Sequence, residues 1–114
     1  MDLTQQQACI IACQACQNLC LETATGYCLE QGWPHAERRH LTVMLDCAAI
    51  CACCTNFLLR GSIFCDQTCS ICADICRHCA EDCEHFNDAR MDDCARVCRE
   101  CADICLEMAT SVSA

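Results

Sequence analysis

Six cysteines in the stretch 65–83 are spaced by four, three, four, three and four residues, so they share one face of a helix. They are Cys65, Cys69, Cys72, Cys76, Cys79 and Cys83. This is the a/d spacing of a helical bundle, in which Leu and Ile normally occupy the core-facing positions. A helix that directs a row of thiols inwards has either a core of very small residues or a soft metal ion inside it.

The same spacing recurs in three other segments, where His and Met stand at some of the positions. The first row is Cys9, Cys13, Cys16 and Cys20. The second is His40, Met44, Cys47, Cys51, Cys54 and Leu58. The last is Met91, Cys94, Cys98, Cys101, Cys105 and Met108. Cys28 and Cys53 lie outside the regular rows and are the least certain ligands. The repetition indicates one internal plan for all four segments.

Four helices of similar length must carry these rows. A capping box of Thr4 and Gln7 predicts the start of the first, which we expect to end near Gln31, before Gly32. The expected bounds of the others are about 34–60, with Ser62 as the next N-cap, then 63–86 and 89–110. Short connections predict an all-α, antiparallel up-down-up-down four-helix bundle, with residues 1–114 as one domain.

Three interpretations of the thiol rows are open. Cysteine can be a small buried hydrophobe, but a core made only of Cys would leave the bundle axis underfilled. Cross-helix disulfides would make the chain a redox protein, although an odd count of 19 cysteines fits a fully paired scaffold poorly. Metal binding is the interpretation that the spacing favours most.

Charge distinguishes the metals that thiolates prefer. Each zinc ion with four thiolates carries a net charge of about −2, and several such sites in one dry core are costly. Iron–sulfur clusters usually take their cysteines from loops. Cu(I) accepts two or three thiolates, which can also bridge ions, so about one Cu(I) per thiolate gives a neutral core. The sequence therefore predicts multiple Cu(I) ions per chain, with zinc or iron–sulfur as the alternative.

The two ends of an antiparallel bundle would differ in chemistry. One end collects soft, exchangeable ligands together with His85, and we expect Cu(I) to load there; these ligands are Cys28, His40, Met44, Cys83 and Met91. The other end collects apolar residues that would plug the bundle, namely Leu3, Phe57, Leu58, Ile63, Phe64, Leu106 and Met108.

Composition excludes some classes of partner. Sixteen acidic residues against seven basic ones give a net charge of −9, which argues against nucleic acid and anionic membranes. We find no signal-peptide pattern and expect no membrane-spanning stretch. The expected compartment is the cytoplasm, where thiols stay reduced and a Cys-rich chain is typically metal-binding.

The second segment has too much apolar surface for one inward row. Besides that row it carries Val43, Ile50 and Phe57 with Leu41, Leu45 and Leu59, and Asp46 is the one charged residue between Leu41 and Leu59. This predicts an oligomer interface formed by the first two helices, with the charged third and fourth helices facing water.

The pattern Cys9-x3-Cys13-x2-Cys16-x3-Cys20, followed by His40, Met44 and Cys47, resembles the bacterial copper storage proteins over nearly the whole chain. The resemblance implies a four-helix bundle that holds many Cu(I) ions on its cysteines, with His and Met near an open end. It also implies a homo-tetramer and, without an export signal, a cytosolic protein. The expected function is a Cu(I) store and not an enzyme; a thiol redox protein is the alternative.

Overall fold

The computed structural model describes the backbone of residues 2–113 and the side chains of residues 2–110. Within this range the chain forms four long helices and no strand, which confirms the all-α prediction. Helix α1 covers residues 3–31, α2 is Arg38–Leu59, α3 is Cys65–Glu84 and α4 is Ala89–Ser113. The predicted order of the four helices and their short connections are therefore correct.

The helices surround a central axis as the walls of a rod of 44 × 20 × 20 Å. Each helix packs against the next one along the chain, and α1 closes the ring by packing against α4. Among the described residues the diagonal pairs, α1 with α3 and α2 with α4, make no backbone contact. The axis is therefore filled by side chains alone, and these are the inward rows.

Helix α1 begins two residues earlier than the capping box predicts. Its N-cap is Asp2, whose carboxylate accepts the backbone N–H of Thr4 at 2.9 Å. The predicted box of Thr4 and Gln7 is wrong because the charged Asp2 carboxylate stabilises the free N–H groups and the positive end of the helix dipole.

The other helix bounds differ from prediction by a few residues. Helix α2 begins at Arg38 instead of 34 or 35, because residues 33–36 form a turn after Gly32, whose φ is 74°. Helix α3 begins at Cys65, with Phe64 and not Ser62 as its N-cap, and ends at Glu84. Residues 63–64 and 85–86, predicted as helical, are turns, and α4 continues to Ser113 rather than ending at Thr110.

The turn after α2 explains the late start of α3. The N–H of Ser62 bonds the carbonyl of Phe57 at 3.0 Å, and the N–H of Gly61 bonds Leu58 at 3.1 Å. This is a Schellman motif, in which glycine supplies the left-handed residue, here with φ of 59°. Two further residues are then needed to reverse the chain before α3 can begin.

A π-helical segment, Thr23–Cys28, interrupts α1 and returns Cys28 to the core. Continuing the three/four spacing beyond Cys20 would place Tyr27 inwards. The wider π turn adds one residue, so that Ala24 and Cys28 are buried instead. Sequence spacing alone placed Cys28 outside the rows because it assumed a regular α-helix.

Alanines flank the thiol rows and let the helices approach closely. The buried ones are Ala24, Ala48, Ala73, Ala80, Ala95, Ala102 and Ala109. Larger apolar side chains pack around this narrow centre from the sides, among them Leu19, Ile50, Ile75, Val97 and Ile104. The apolar volume that a column of thiols lacks is thus supplied around the column, where burial of these side chains stabilises the bundle.

The predicted apolar plug is only partly correct. Leu58 and Met108 are fully buried at that end, and Phe57 is half-buried. The other four members, Leu3, Ile63, Phe64 and Leu106, are exposed. Leu3 lies at the start of α1, Ile63 and Phe64 lie in the turn before α3, and Leu106 lies on the outer face of α4. We call the buried pair Leu58 and Met108, with the side chains around them, the closed end.

Helix α2 corrects the expectation that no stretch could span a membrane. By length and hydropathy alone, Arg38–Leu59 could cross a membrane, although a helix in the core of a protein passes the same test. In the structure this helix is one wall of the bundle and carries eight buried residues. Five of them bear a polar group or a thiol, namely His40, Cys47, Cys51, Cys54 and Thr55. Its composition follows from its place in the core.

We predict that Leu58→Ala lowers the free energy of unfolding of the metal-free protein by about 2–5 kcal/mol, because it leaves a cavity at the closed end. Chemical denaturation measures this change. The matched control Ile63→Ala removes an exposed side chain at the same end and should change stability by less than about 0.5 kcal/mol. Equal effects of the two variants would contradict the closed end as described.

Candidate metal centre

The structure confirms that the cysteine rows face the bundle axis. Eighteen of the nineteen cysteines are buried, and all nineteen are free thiols. The buried set includes Cys28, which sequence spacing left uncertain. Cys53 is the exception: it is partly exposed in a surface groove that it lines with Val43, Ile50, Ile75 and His78. The structure therefore does not bring Cys53 together with the other thiols.

Thiols from different helices contact each other along most of the axis. Their Sγ–Sγ distances run from 3.5 Å, between Cys54 and Cys69, to 4.0 Å, between Cys51 and Cys101. These are hydrogen-bond contacts and are well above the S–S bond length of about 2.05 Å. The core is thus a continuous network of S–H groups, close enough for two or more sulfurs to share one ion.

Four sets of four sulfur atoms lie within 4.8 Å of one another. One of them takes a cysteine from each helix, Cys16, Cys51, Cys76 and Cys101. The other three are Cys9, Cys13, Cys54 and Cys105; Cys13, Cys72, Cys101 and Cys105; and Cys16, Cys20, Cys47 and Cys98. Cys13, Cys16, Cys101 and Cys105 each belong to two sets. The sets therefore merge into one column of potential ligands.

Hydrogen bonds within this network divide the thiols by acidity. The pKa of Cys94 is lowered because the thiols of Cys20, Cys83 and Cys98 stabilise its thiolate. The pKa of Cys83 is raised because Cys79 and Cys94 accept hydrogen bonds from its thiol and so stabilise the protonated form. Burial raises the pKa of Cys28 to about 11, and the negative charge of Asp88 adds to this effect. Metal binding at such thiols must displace protons.

A mixed cluster of soft ligands ends the column at the side opposite the closed end. The Cys28 Sγ lies 3.9 Å from the Met44 Sδ and 3.8 Å from the Met91 Sδ. The His40 Nε2 lies 3.7 Å from the Cys28 Sγ. We call Cys28, His40, Met44 and Met91 the mouth cluster. The sequence grouped these residues correctly, and all four are buried, with His40 only 2% exposed.

The end that carries the mouth cluster is covered rather than open. The Phe86 ring packs 4.5 Å from His40 and 4.4 Å from His35, and Tyr27 meets His35 edge-on at 5.5 Å. We call Tyr27, His35 and Phe86 the aromatic roof. His35 also bonds Asp88 at 2.7 Å, which ties the connection before α2 to the one before α4. His85, which the sequence places at this end as a solvated residue rather than a ligand, is exposed.

Sequence reasoning missed the residues that hold the mouth cluster in place. The Nδ1 of His40 lies 2.6 Å from the Asp82 Oδ2, and neither Asp82 nor the aromatic roof was predicted. Asp82 sits among surface acids in sequence, so its type gave no signal. Its position immediately before Cys83 was the available indication, since that places it beside an inward position at the same end.

The shared sulfur sets decide what chemistry the column suits. The four sets draw on only twelve different cysteines, fewer than four separate four-ligand sites would need. Closed tetrahedral zinc sites cannot all form without sharing ligands. Soft Cu(I) ions with low coordination numbers accept such sharing, because a thiolate can bridge two ions. The arrangement thus suits a connected thiolate cluster better than isolated sites.

Comparisons with known proteins agree with this chemistry. A family model described as copper storage protein matches residues 2–110. No curated protein gives a significant match to the chain. Among solved structures, a protein from Nitrosospira multiformis is 43% identical, with a TM-score of 0.91 over 96% of this chain and 99% of that one.

Two further structures are described as copper storage proteins. The Cu(I)-bound protein BsCsp3 is 33% identical, with a TM-score of 0.86 over 92% of this chain and 98% of its own. The apo form of copper storage protein 3 from Bacillus subtilis is also 33% identical, with a TM-score of 0.80 over 90% of this chain and 97% of that one.

Proposed function

Because this chain belongs to the copper storage protein family, we propose that it stores copper by binding many Cu(I) ions on the thiolates inside its four-helix bundle. The observation that carries the proposal is the continuous column of shared four-sulfur sets between α1, α2, α3 and α4. The ligands are the eighteen buried cysteines, with His40, Met44 and Met91 at the mouth cluster. Residues 1–114 act as one binding domain.

Charge balance explains how such a core can be filled. Each thiolate that replaces a buried thiol adds one negative charge to a dry interior, which is costly unless it is compensated. Each Cu(I) adds one positive charge. Filling at about one ion per thiolate therefore keeps the interior neutral at every stage. Since each ion displaces a proton, binding should weaken as the pH falls.

The capacity for copper should depend on buried cysteines and not on Cys53. We expect the reduced protein to take up Cu(I) towards one ion per buried cysteine. Cys101→Ser should lower the capacity by at least about one ion, because Cys101 belongs to two of the sulfur sets. Anaerobic titration with Cu(I) against a competing chelator measures this number.

Cys53→Ser is the matched control, since it makes the same change outside the column and should leave the capacity unchanged. Saturation of the wild type at only a few ions would contradict storage. It would favour the alternative, a thiol redox protein, whose cross-helix disulfides would form readily on mild oxidation and block Cu(I) uptake.

We propose that Cu(I) is loaded and released at the mouth cluster. The two ends of the column differ in donor chemistry: one combines an imidazole and two thioethers with Cys28, and the closed end offers Leu58 and Met108. Thioether and imidazole groups bind Cu(I) without losing a proton at neutral pH, so His40, Met44 and Met91 can hold an ion without proton transfer. The aromatic roof must open for this exchange.

Removal of the donors at the mouth should slow loading while leaving the capacity almost unchanged. We expect the double variant with His40→Ala and Met44→Leu to load Cu(I) at least about 10-fold more slowly from a Cu(I)–chelator complex. Stopped-flow absorbance measures the rate. Met108→Leu makes the same thioether-to-hydrocarbon change at the closed end and should load at the wild-type rate. Unchanged rates in the double variant would show that copper enters elsewhere.

We further propose a homo-tetramer built through the apolar outer faces of α1 and α2. Ile11 on α1 and Leu45 and Leu59 on α2 are exposed, and Val43 and Ile50 are only half-buried. Burying such a face against other copies removes apolar area from water. Helices α3 and α4 instead carry surface ion pairs such as Arg99 with Glu84.

The mass of the assembly tests this proposal. Size-exclusion chromatography with light scattering should give four times the chain mass of 12.6 kDa. Ile50→Glu should reduce the mass, because a charge would be buried in the interface. The control Ile71→Glu changes an exposed position of α3 and should leave the mass unchanged. A monomeric wild type would contradict the interface.

The proposed compartment is the cytoplasm. The support is chemical. Thiols of different helices lie 3.5–4.0 Å apart, sulfur to sulfur, and such pairs would be oxidised to disulfides in a disulfide-forming compartment. A reducing compartment keeps the thiols available for Cu(I).

A further inference from the structure

The two ring nitrogens of His40 have different surroundings. Its Nε2 faces Cys28 in the mouth cluster, and its Nδ1 faces the Asp82 carboxylate on α3. An ionised carboxylate only accepts hydrogen bonds. In the neutral form of the ring, this contact with Asp82 favours the proton on Nδ1 and leaves the lone pair of Nε2 directed into the cluster. A metal ion needs that lone pair.

Asp82 is itself fixed in place. Its Oδ1 lies 3.5 Å from a guanidinium nitrogen of Arg39, and its side chain is only 14% exposed. It stands on α3, and the ring that it holds stands on α2, so the contact bridges two walls of the bundle. The Phe86 ring, 4.5 Å from the imidazole, limits rotation of the ring from the other side.

We propose that Asp82 is a positioning residue for Cu(I) at the mouth cluster: it holds His40 in the Nδ1–H tautomer and so aims the Nε2 lone pair at Cys28, Met44 and Met91. This inference rests on the proposed function. Without the carboxylate, His40 is free to carry its proton on Nε2, and an N–H directed at the cluster cannot bind a metal. A hydrogen-bonded carboxylate behind a ligating histidine is a general way to fix both tautomer and ring orientation.

The tautomer can be measured before any copper is added. In the metal-free protein labelled with 15N-histidine, we expect long-range 1H–15N spectra to show His40 with a protonated Nδ1 and an unprotonated Nε2. Asp82→Ala should abolish the single Nδ1–H form. Asp82→Asn keeps an acceptor oxygen and should retain it. An Nδ1–H tautomer that persists in Asp82→Ala would overturn the proposal.

Loading kinetics then test whether the tautomer matters for copper. We expect Asp82→Ala to slow Cu(I) loading by about 10-fold or more. In the His40→Ala background, the same change should have no further effect, because Asp82 acts only through His40. Additive losses in the double variant would overturn the proposal, as would an Asp82→Asn variant that loads as slowly as Asp82→Ala, since both results would mean that the carboxylate charge acts by itself.

Glu81→Ala is the matched control for charge. Glu81 lines the same surface pocket as Asp82 and His40 but is exposed and precedes Asp82 by one residue. The Glu81→Ala variant should load Cu(I) at the wild-type rate. A decrease in rate equal to that of Asp82→Ala would also overturn the positioning role. Failure of the storage proposal is recognised separately, because it would appear as low capacity in the wild type while the tautomer result still stands.

Discussion

The burial of eighteen thiols on one axis is the constraint from which the other features of this protein follow. Thiol side chains are short, so the four helices must lie close together, and alanines beside the rows permit this approach. Short side chains also bury little apolar area, so Leu, Ile and Val around the column supply the burial that stabilises the bundle. The result is a narrow interior whose walls present sulfur from every side.

The same constraint gives the interior its electrical properties. An uncharged network of S–H groups is compatible with a dry core, and a network of bare thiolates is not. Cu(I) exchanges for protons one charge at a time, so the interior can remain neutral as it fills. Because neighbouring sulfur sets share members, adjacent ions would share thiolates, and the column behaves as one ligand system rather than as separate sites.

The polarity of the bundle arises from how the column ends. At the closed end Leu58 and Met108 present hydrocarbon and one thioether. At the opposite end His40, Met44 and Met91 present donors that need not lose a proton, beneath a roof of Tyr27, His35 and Phe86. Asp82 and Arg39 connect the histidine to α3. Helix α2 contributes the imidazole donor, and Asp82 on α3 fixes which nitrogen of the ring faces the cluster.

The sequence by itself determined the helices, the inward rows and the soft-metal chemistry, because a three/four spacing defines one face of a helix whatever surrounds it. The spacing left both Cys28 and Cys53 outside the regular rows. Only the tertiary structure separated them, since a π turn rotates Cys28 into the core while Cys53 stays on a regular helix facing outwards. The apolar plug, the roof and the Asp82–His40 contact likewise depend on turns and on packing between helices. Those are set by which residues from distant segments meet, and spacing within one segment carries no information about that.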